Sequence, residues 1–184
     1  MKMKKTLLLI SIPLLLVFAI IVYIALPWLL ILIGIQLEPN PPRPEITYGK
    51  FPFRLEYEIN GQRKVIKDTL ICEYDGIGSD EGRGKYRKWK ERLASGNERI
   101  TLLKVDDTKE IYYSPGNANY YMGDLDDPGE YEHYFPDALF IERDSIGANT
   151  GIILADELLD KYHIKLISWD YTPPIKNNFP ATKK

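Results

Sequence analysis

The first part of the chain is almost uniformly apolar. The thirty residues from Thr6 to Ile35 carry no charge, and about twenty apolar residues in a helix already cross the hydrocarbon core of a bilayer. A cleavable signal peptide has an apolar core of only about 7 to 15 residues and ends at a small-residue cleavage site. This run is longer and closes on Gly34-Ile35-Gln36-Leu37, so the pattern predicts one uncleaved transmembrane helix, a signal-anchor, over residues 6–35.

The charges that flank the apolar run predict its orientation. Lys2, Lys4 and Lys5 precede it, whereas the first charged residue after it is Glu38. Because the positively charged flank of a membrane helix stays in the cytoplasm, residues 1–5 are predicted to be cytoplasmic. The remainder of this single-pass cell-membrane protein is then extracytoplasmic, with the bilayer contacted through residues 6–35.

Proline-rich segments bound the predicted domain on both sides. Residues 36–45 include the run EPNPPRPE, which favours an extended polyproline stalk. Residues 172–184 read TPPIKNNFPATKK and show no apolar period, so they are predicted to form a loose C-terminal tail. The folded domain is therefore expected between residues 46 and 171, which is long enough for one core.

Strict alternation of apolar and polar residues is clearest at the start of the domain. Phe53, Leu55, Tyr57 and Ile59 alternate with charged residues and lead into Asn60-Gly61. Alternation that ends in Asn-Gly predicts a β-hairpin with a type I′ turn. The Gly-rich segment DGIGSDEGRG after the return strand is predicted to be a surface loop.

Helical spacing occurs in two segments. In KYRKWKERLASG (85–96), Tyr86, Trp89 and Leu93 share one helical face, and Gly96 follows as a helix C′ residue would. A second helix is predicted from Ile152 to Tyr162, with Thr150 as its N-cap and an ion pair one turn apart between Glu157 and Lys161.

The remaining apolar segments are short and separated by turn residues, which is typical of strands. They run Arg99–Val105, Glu110–Ser114, Asn119–Gly123, Asp137–Arg143 and from Ile164 through IKLISWD. Together the elements predict an α+β fold: a transmembrane helix followed by a mainly antiparallel β domain with about two short helices.

The stretches ITYGKFPFRLEYEING, DTLICEYDGIG, KYRKWKERLASGN and KLISWDYTPPI are similar to those of a set of membrane-anchored bacterial proteins of unknown function. The resemblance covers most of the domain. It implies nothing about activity.

Charge and cysteine content narrow the classes of function. Without the three N-terminal lysines, 21 basic residues face 26 acidic ones, a net charge of −5 that argues against nucleic acid as a partner. Cys72 is the one cysteine, so no intramolecular disulfide forms. It alternates in phase with Ile66, Leu70 and Tyr74, which predicts a buried core thiol rather than a reactive one.

An acidic cluster is the most suggestive chemical feature. Asp124, Asp126 and Asp127 offer hard oxygen ligands of the kind that calcium binds, but their spacing matches no EF-hand loop, so no metal and no cofactor is predicted. Glu130, Glu132 and His133 are the candidates for carboxylate or general-base catalysis. A histidine without a fixed nucleophile does not make a catalytic triad.

Other candidate features have simple structural explanations beside the functional ones. Basic residues crowd around Arg87, Lys88 and Trp89, so the first helix is a candidate for contact with anionic headgroups or an anionic polymer. The segment DGIGSDEGRG lacks the Lys-Ser/Thr ending of a phosphate-binding loop. His163 follows the second helix, where the helix dipole favours an imidazole.

Tyrosines form the second candidate binding surface. Neighbouring residues in a strand point to opposite faces. One member of each of the pairs Tyr112-Tyr113 and Tyr120-Tyr121 is therefore available for a sugar or peptide, although sheet packing explains most tyrosines equally well.

These observations favour a non-enzymatic, membrane-anchored extracytoplasmic binding or interaction domain, with a membrane protein or a cell-surface polymer as its partner. Two alternatives stay open. One is a cell-surface hydrolase that uses carboxylates, and the other is an accessory subunit of a membrane complex whose transmembrane helix makes the functional contact.

Overall fold

The computed structural model describes residues 2–125, 131 and 133–180. This part of the chain contains three helices and eight strands. The helices are α1 (Lys2–Leu37), α2 (Ala118–Tyr121) and α3 (Ala155–Tyr162). The strands are β1 (Tyr48–Ile59), β2 (Gln62–Asp80), β3 (Gly84–Leu93), β4 (Ile100–Lys104), β5 (Lys109–Tyr113), β6 (Ala138–Arg143), β7 (Ala148–Ile153) and β8 (Ile164–Tyr171). The fold is α+β with mainly antiparallel sheets, as the sequence predicts.

The apolar run forms the long helix α1. Its stretch Leu14–Leu37 has a mean hydropathy of 2.9, and none of it is buried. By length and composition this helix is able to cross a membrane. It is therefore compatible with a single-pass anchor.

The chain divides into two compact units. One, here called the helix unit, comprises Met1–Pro41 and Ile77–Arg87; the other, the sheet unit, comprises Pro42–Gly76 and Lys88–Lys184. Strands β2 and β3 run through the boundary, so the turn that joins them belongs to the helix unit.

One four-stranded sheet has the order β3-β2-β1-β8. In the β1–β2 hairpin Ile59 pairs with Gln62, and Asn60 and Gly61 between them have φ angles of 52° and 74°. Positive φ at both central residues defines the predicted type I′ turn. β8 pairs antiparallel with the other side of β1.

The second four-stranded sheet has the order β4-β5-β6-β7, and its three pairings are antiparallel. Alternate residues of β1 and β5 enter one core that residues of both sheets share. Leu55 and Ile111 are completely buried there, and Cys72 has the buried core position predicted for it. Burial raises the pKa of the Cys72 thiol to about 12, so it is an inert thiol.

The predicted helix over residues 85–96 is wrong, because Gly84–Leu93 forms strand β3. Lys88 and Lys90 both pair with Asp75 of β2, with nitrogen–oxygen distances of 2.9 and 2.7 Å. These partners lie more than ten positions away, so the helical spacing of the apolar residues does not decide the structure. The adjacent surface loop is also mostly absent, since β2 extends to Asp80 and β3 begins at Gly84.

The predicted strand at Asn119–Gly123 is wrong as well, because Ala118–Tyr121 forms the short helix α2. The side chain of Asn117 accepts a hydrogen bond from the Tyr120 backbone N–H at 2.8 Å. This is an N-cap contact, and it favours a helical turn over a strand.

The second predicted helix begins later than expected. α3 starts at Ala155 with Leu154 as its N-cap residue. Thr150, the predicted N-cap, lies instead in strand β7, which the sequence does not predict. The Glu157–Lys161 pair forms as predicted, at 2.8 Å, and His163 ends the helix as its C-cap.

The segments at the two ends of the sheet unit bind each other. The Asn177 side chain accepts a hydrogen bond from the Ile46 N–H at 3.0 Å and donates one to the Ile46 carbonyl at 2.8 Å. The Glu45 N–H donates to the Asn178 carbonyl at 3.0 Å. Residues 172–180 have no regular secondary structure, yet these bonds hold them against the start of the domain.

Candidate functional site

Aromatic side chains from three parts of the sheet unit gather in one place. The helix α2 contributes two tyrosines, the following segment contributes a tyrosine and a histidine, and β8 contributes a tryptophan and a tyrosine. We call this set the aromatic cluster: Tyr120, Tyr121, Tyr131, His133, Trp169 and Tyr171.

His133 lies at the centre of the aromatic cluster. Its ring centroid is 4.2 Å from that of Tyr171, and it is 5.3 Å from those of both Tyr120 and Tyr131. Tyr120 and Tyr131 meet the imidazole edge-on and stack on each other at 4.1 Å. Edge-to-face and offset-stacked rings are the favoured arrangements of aromatic groups, so the cluster is well packed.

Three ring nitrogens in the aromatic cluster lack hydrogen bonds. Both imidazole nitrogens of His133 and the indole Nε1 of Trp169 are buried without a partner in the described part of the chain. The two rings are neighbours, with centroids 6.0 Å apart. A buried polar group without a partner costs roughly 1 to 3 kcal/mol. Unsatisfied buried polar groups are uncommon in native proteins, so three in one place make the aromatic cluster the candidate site.

The cluster is electrically neutral at ordinary pH. Burial lowers the pKa of His133, which keeps its imidazole uncharged. Burial raises the pKa of Tyr121 and of Tyr120 above the usual tyrosine range, and it raises that of Tyr131 to about 12. The arrangement thus suits an uncharged, ring-bearing or apolar group better than a charged one.

An open groove begins at Tyr120 and leads along the C-terminal segment. Its volume is about 450 Å³, and it is lined by Tyr120, Gly123, Leu125, Pro174, Ile175, Lys176 and Asn177. Tyr120 belongs to both the groove and the aromatic cluster, so a group in the groove contacts the ring that covers His133.

Close backbone packing forms one wall of this groove. The Ile175 N–H donates to the Tyr121 carbonyl at 2.9 Å. Gly123 has a φ of 66°, and a Cβ there would collide with the Ile175 carbonyl oxygen. A glycine is therefore required for the C-terminal segment to lie beside α2.

Asp124, a predicted metal candidate, has a structural role in this arrangement. Its side chain accepts a hydrogen bond of 2.7 Å from the indole N–H of Trp89, and the residue is only 9% exposed. No group of three possible metal ligands forms among the described residues. Asp126 and Asp127, the other two metal candidates, lie outside the described residues.

The catalytic candidates are only partly placed. Glu130 and Glu132 lie outside the described residues, whereas His133 is the centre of the aromatic cluster. His133 makes no hydrogen bond to a carboxylate in the described part of the chain. The described residues thus supply it with no orienting group of the kind a general base uses.

The remaining candidate binding residues do not belong to the aromatic cluster. Tyr113 is 1% exposed and packs on Trp169 at 4.8 Å, while Tyr112 faces the other side of its sheet beneath Arg99. Arg87 lies in the helix unit, and Lys88 and Trp89 lie in the sheet unit.

Comparison with known proteins gives no match. No protein-family model matches the sequence, and neither a curated protein nor a solved structure is significantly similar to it.

Sequence reasoning selects Tyr120, Tyr121 and His133 but misses Trp169, Tyr171 and Ile175. Trp169 and Tyr171 alternate along β8, which is a signal that both lie on one face of a strand. No local signal connects them with His133. The connection arises because β8 pairs with β1, opposite Leu55 and Phe53.

Proposed function

We propose that this protein is a membrane-anchored binding domain that takes an uncharged aromatic or apolar group of its partner into the groove beside Tyr120. The partner is a membrane protein or a cell-surface polymer. The observation that carries the proposal is an open groove at Tyr120, whose ring contacts the cluster in which the nitrogens of His133 and Trp169 lack partners among the described residues. A ligand in that groove gains contact with the Tyr120 ring and with the apolar side chains of Leu125 and Ile175.

The anchor in this proposal is α1, with its N-terminus in the cytoplasm. Support comes from the length of its apolar run and from the basic residues that precede it. Protease added to intact cells is expected to remove the sheet unit, and lysis before digestion is the control. Full protection in intact cells would contradict the orientation.

A site-specific crosslinker tests the groove. A photoreactive amino acid replaces Lys176, an exposed residue that lines it. The matched control carries the same group at Lys64, another exposed lysine, located in β2. After irradiation in the native membrane, the Lys176 position is expected to give a defined adduct that the Lys64 position does not give.

A groove-filling variant makes this test specific. Leu125→Trp places a larger side chain in the groove and is expected to abolish the adduct, provided that its melting temperature equals that of the wild type. An adduct that persists in this variant, or that forms equally from Lys64, would contradict the proposal.

A further inference from the structure

The turn between β2 and β3 contacts the end of the long helix. We call residues Ile77–Arg87 the hairpin tip; it and α1 belong to the same unit. The ammonium group of Lys85 donates to the carbonyl oxygen of Glu38 at 2.7 Å and to that of Gln36 at 3.2 Å. The Lys85 backbone N–H donates to the Glu38 carboxylate at 2.9 Å. Three hydrogen bonds thus join the tip to the C-terminal end of α1.

These contacts provide hydrogen-bond donors for backbone carbonyl groups at the C-terminal end of α1. The last carbonyls of a helix have no partner within it, and they carry the negative end of the helix dipole. Lys85 supplies a charged donor to one of them, although it lies 49 positions away from Gln36. In or near a bilayer an unpaired carbonyl is especially costly, so this contact has its greatest value at a membrane surface.

Gly84 is needed for the contact. It has a φ of 71°, and a Cβ there would collide with the Glu38 carboxylate. The positive φ favours glycine at this position, and any larger residue would displace the Glu38 carboxylate. The hairpin tip is therefore built to receive the end of α1.

The side chains of the tip resemble those found at membrane interfaces. The guanidinium of Arg83 lies 4.1 Å from the ring centroid of Tyr86, and that ring lies over Gly78. Ile77 is 42% exposed. Tyrosine and long cationic side chains are enriched where membrane helices meet the headgroups.

The length of the anchor places the tip at headgroup level. The charge-free run of thirty residues is about 45 Å long at 1.5 Å per residue. That equals the thickness of a bilayer with its headgroups, about 40 to 45 Å. The end of α1 at Leu37, and the tip bonded to it, then lie among the headgroups on the side where the helix leaves the bilayer.

We propose that the hairpin tip is a second membrane contact, which binds phospholipid headgroups beside the exit point of α1. The inference rests on the insertion of α1 that the proposed function includes. Arg83, Lys85 and Arg87 give the tip its positive charge for contact with headgroup phosphates, while Arg83 also pairs with Asp80 and Lys85 with the helix end. Three carboxylates, those of Glu38, Asp80 and Glu81, balance their charge, so zwitterionic lipid is sufficient.

Nitroxide labels in the full-length protein measure the depth of the tip. Single cysteines replace Val22 in α1, Ile77 in the tip and Ile146, which is 95% exposed. Cys72 stays in place, because it is completely buried and does not react with the label. The protein is reconstituted into phosphatidylcholine vesicles, and collisions of each label with oxygen and with a water-soluble nickel chelate are compared.

We expect the Ile77 label to be several-fold less accessible to the nickel chelate than the Ile146 label. We also expect it to be more accessible than the Val22 label. Lys85→Met is expected to raise the Ile77 accessibility toward the Ile146 value. Lys104→Met, an equivalent change at an exposed lysine of β4, is expected to leave it unchanged.

The outcomes separate this inference from the proposed function. A Val22 label that is open to the nickel chelate would overturn both, because α1 would not be inserted. A shielded Val22 label with an Ile77 label as accessible as that of Ile146 would overturn the headgroup contact alone. Shielding of Ile77 that requires anionic lipid would overturn the charge-balanced contact described above.

Discussion

Strand β1 and the aromatic cluster differ in whether their buried polar groups have partners among the described residues. Glu56 of β1 is 7% exposed, and its carboxylate pairs with both Arg54 and Arg63. In the aromatic cluster the nitrogens of His133 and Trp169 are buried without partners in the described part of the chain. In the described part of the domain, the buried Glu56 carboxylate thus has charged partners, whereas the buried His133 imidazole has no hydrogen-bond partner.

The difference distinguishes a region whose buried charge is paired from a region whose buried ring nitrogens lack partners among the described residues. A buried carboxylate that pairs with two cations avoids the large cost of an unpaired buried charge. A buried imidazole with no partner costs stability and persists where another requirement outweighs that cost. The variants below compare the two regions, beginning with the largest expected effect.

Leu55→Ala is expected to lower the free energy of unfolding by about 2 to 5 kcal/mol, because it leaves a cavity beside β8 and the shared core. Leu55 is completely buried on the inner face of β1. Denaturant unfolding of the full-length protein in nanodiscs, followed by tryptophan fluorescence, measures the change. Val65→Ala in β2 is the control, since Val65 is 46% exposed and its truncation costs far less. Equal losses in the two variants would contradict the position of the core.

Trp89→Phe is expected to lower the free energy of unfolding by about 1 to 3 kcal/mol, because the buried Asp124 carboxylate loses its indole donor. Tyr48→Phe is the control, since it removes the polar atom of a tyrosine that is 45% exposed. The same denaturant titration measures both. A loss for Trp89→Phe no larger than that of the control would show that the contact does not stabilise the segment before the aromatic cluster.

His133→Phe is expected to leave the free energy of unfolding at pH 7 unchanged or to raise it by up to about 1 kcal/mol, because His133 has no hydrogen-bond partner among the described residues. It also removes a sensitivity to acid. Burial holds the pKa of His133 below its usual value, so between that value and about 6.5 the unfolded chain binds a proton that the folded chain does not.

Wild-type stability therefore falls as the pH decreases through this window, with a slope of up to about 1.4 kcal/mol per pH unit. Urea titrations at several pH values from 7 to 5 measure the slope in the wild type, in His133→Phe and in the control His163→Asn. An unchanged slope in His133→Phe would contradict the neutral, buried state of the imidazole.

The double variant Lys88→Gln/Lys90→Gln is expected to change the melting temperature least, because its ion pairs with Asp75 are at the surface. Hydrogen bonds from Lys90 and Lys88 hold the pKa of Asp75 below its usual value. Carboxyl carbon NMR is expected to show that pKa rising in the double variant but not in Lys64→Gln. A constant pKa would contradict the two ion pairs between β3 and Asp75 of β2.

The sequence predicts best where the local signal and the final contacts agree. Alternation from Phe53 to Ile59 and the Asn60-Gly61 turn predict the β1–β2 hairpin from neighbouring residues alone. The failures occur where a distant partner decides the outcome. Lys88 and Lys90 belong to a strand because β3 pairs with β2, and helical spacing in their own segment carries no information about that pairing.

The candidate site illustrates the same limit. Tyr120, Tyr121 and His133 stand out in the sequence because they are close to one another and to acidic residues. Their proximity to Trp169 depends on the pairing of β8 with β1, which joins positions more than one hundred residues apart. The unpartnered nitrogens arise from contacts between distant segments, so no single segment predicts them.

Native mass spectrometry of the full-length protein in nanodiscs prepared directly from its own membranes tests the binding proposal most directly. The wild type and the Lys64→Gln control are expected to retain a bound species of defined mass that the groove-filling Leu125→Trp variant, folded to the same melting temperature, does not retain. The same bound mass in all three proteins, or none in the wild type, would contradict a ligand site in the groove beside Tyr120.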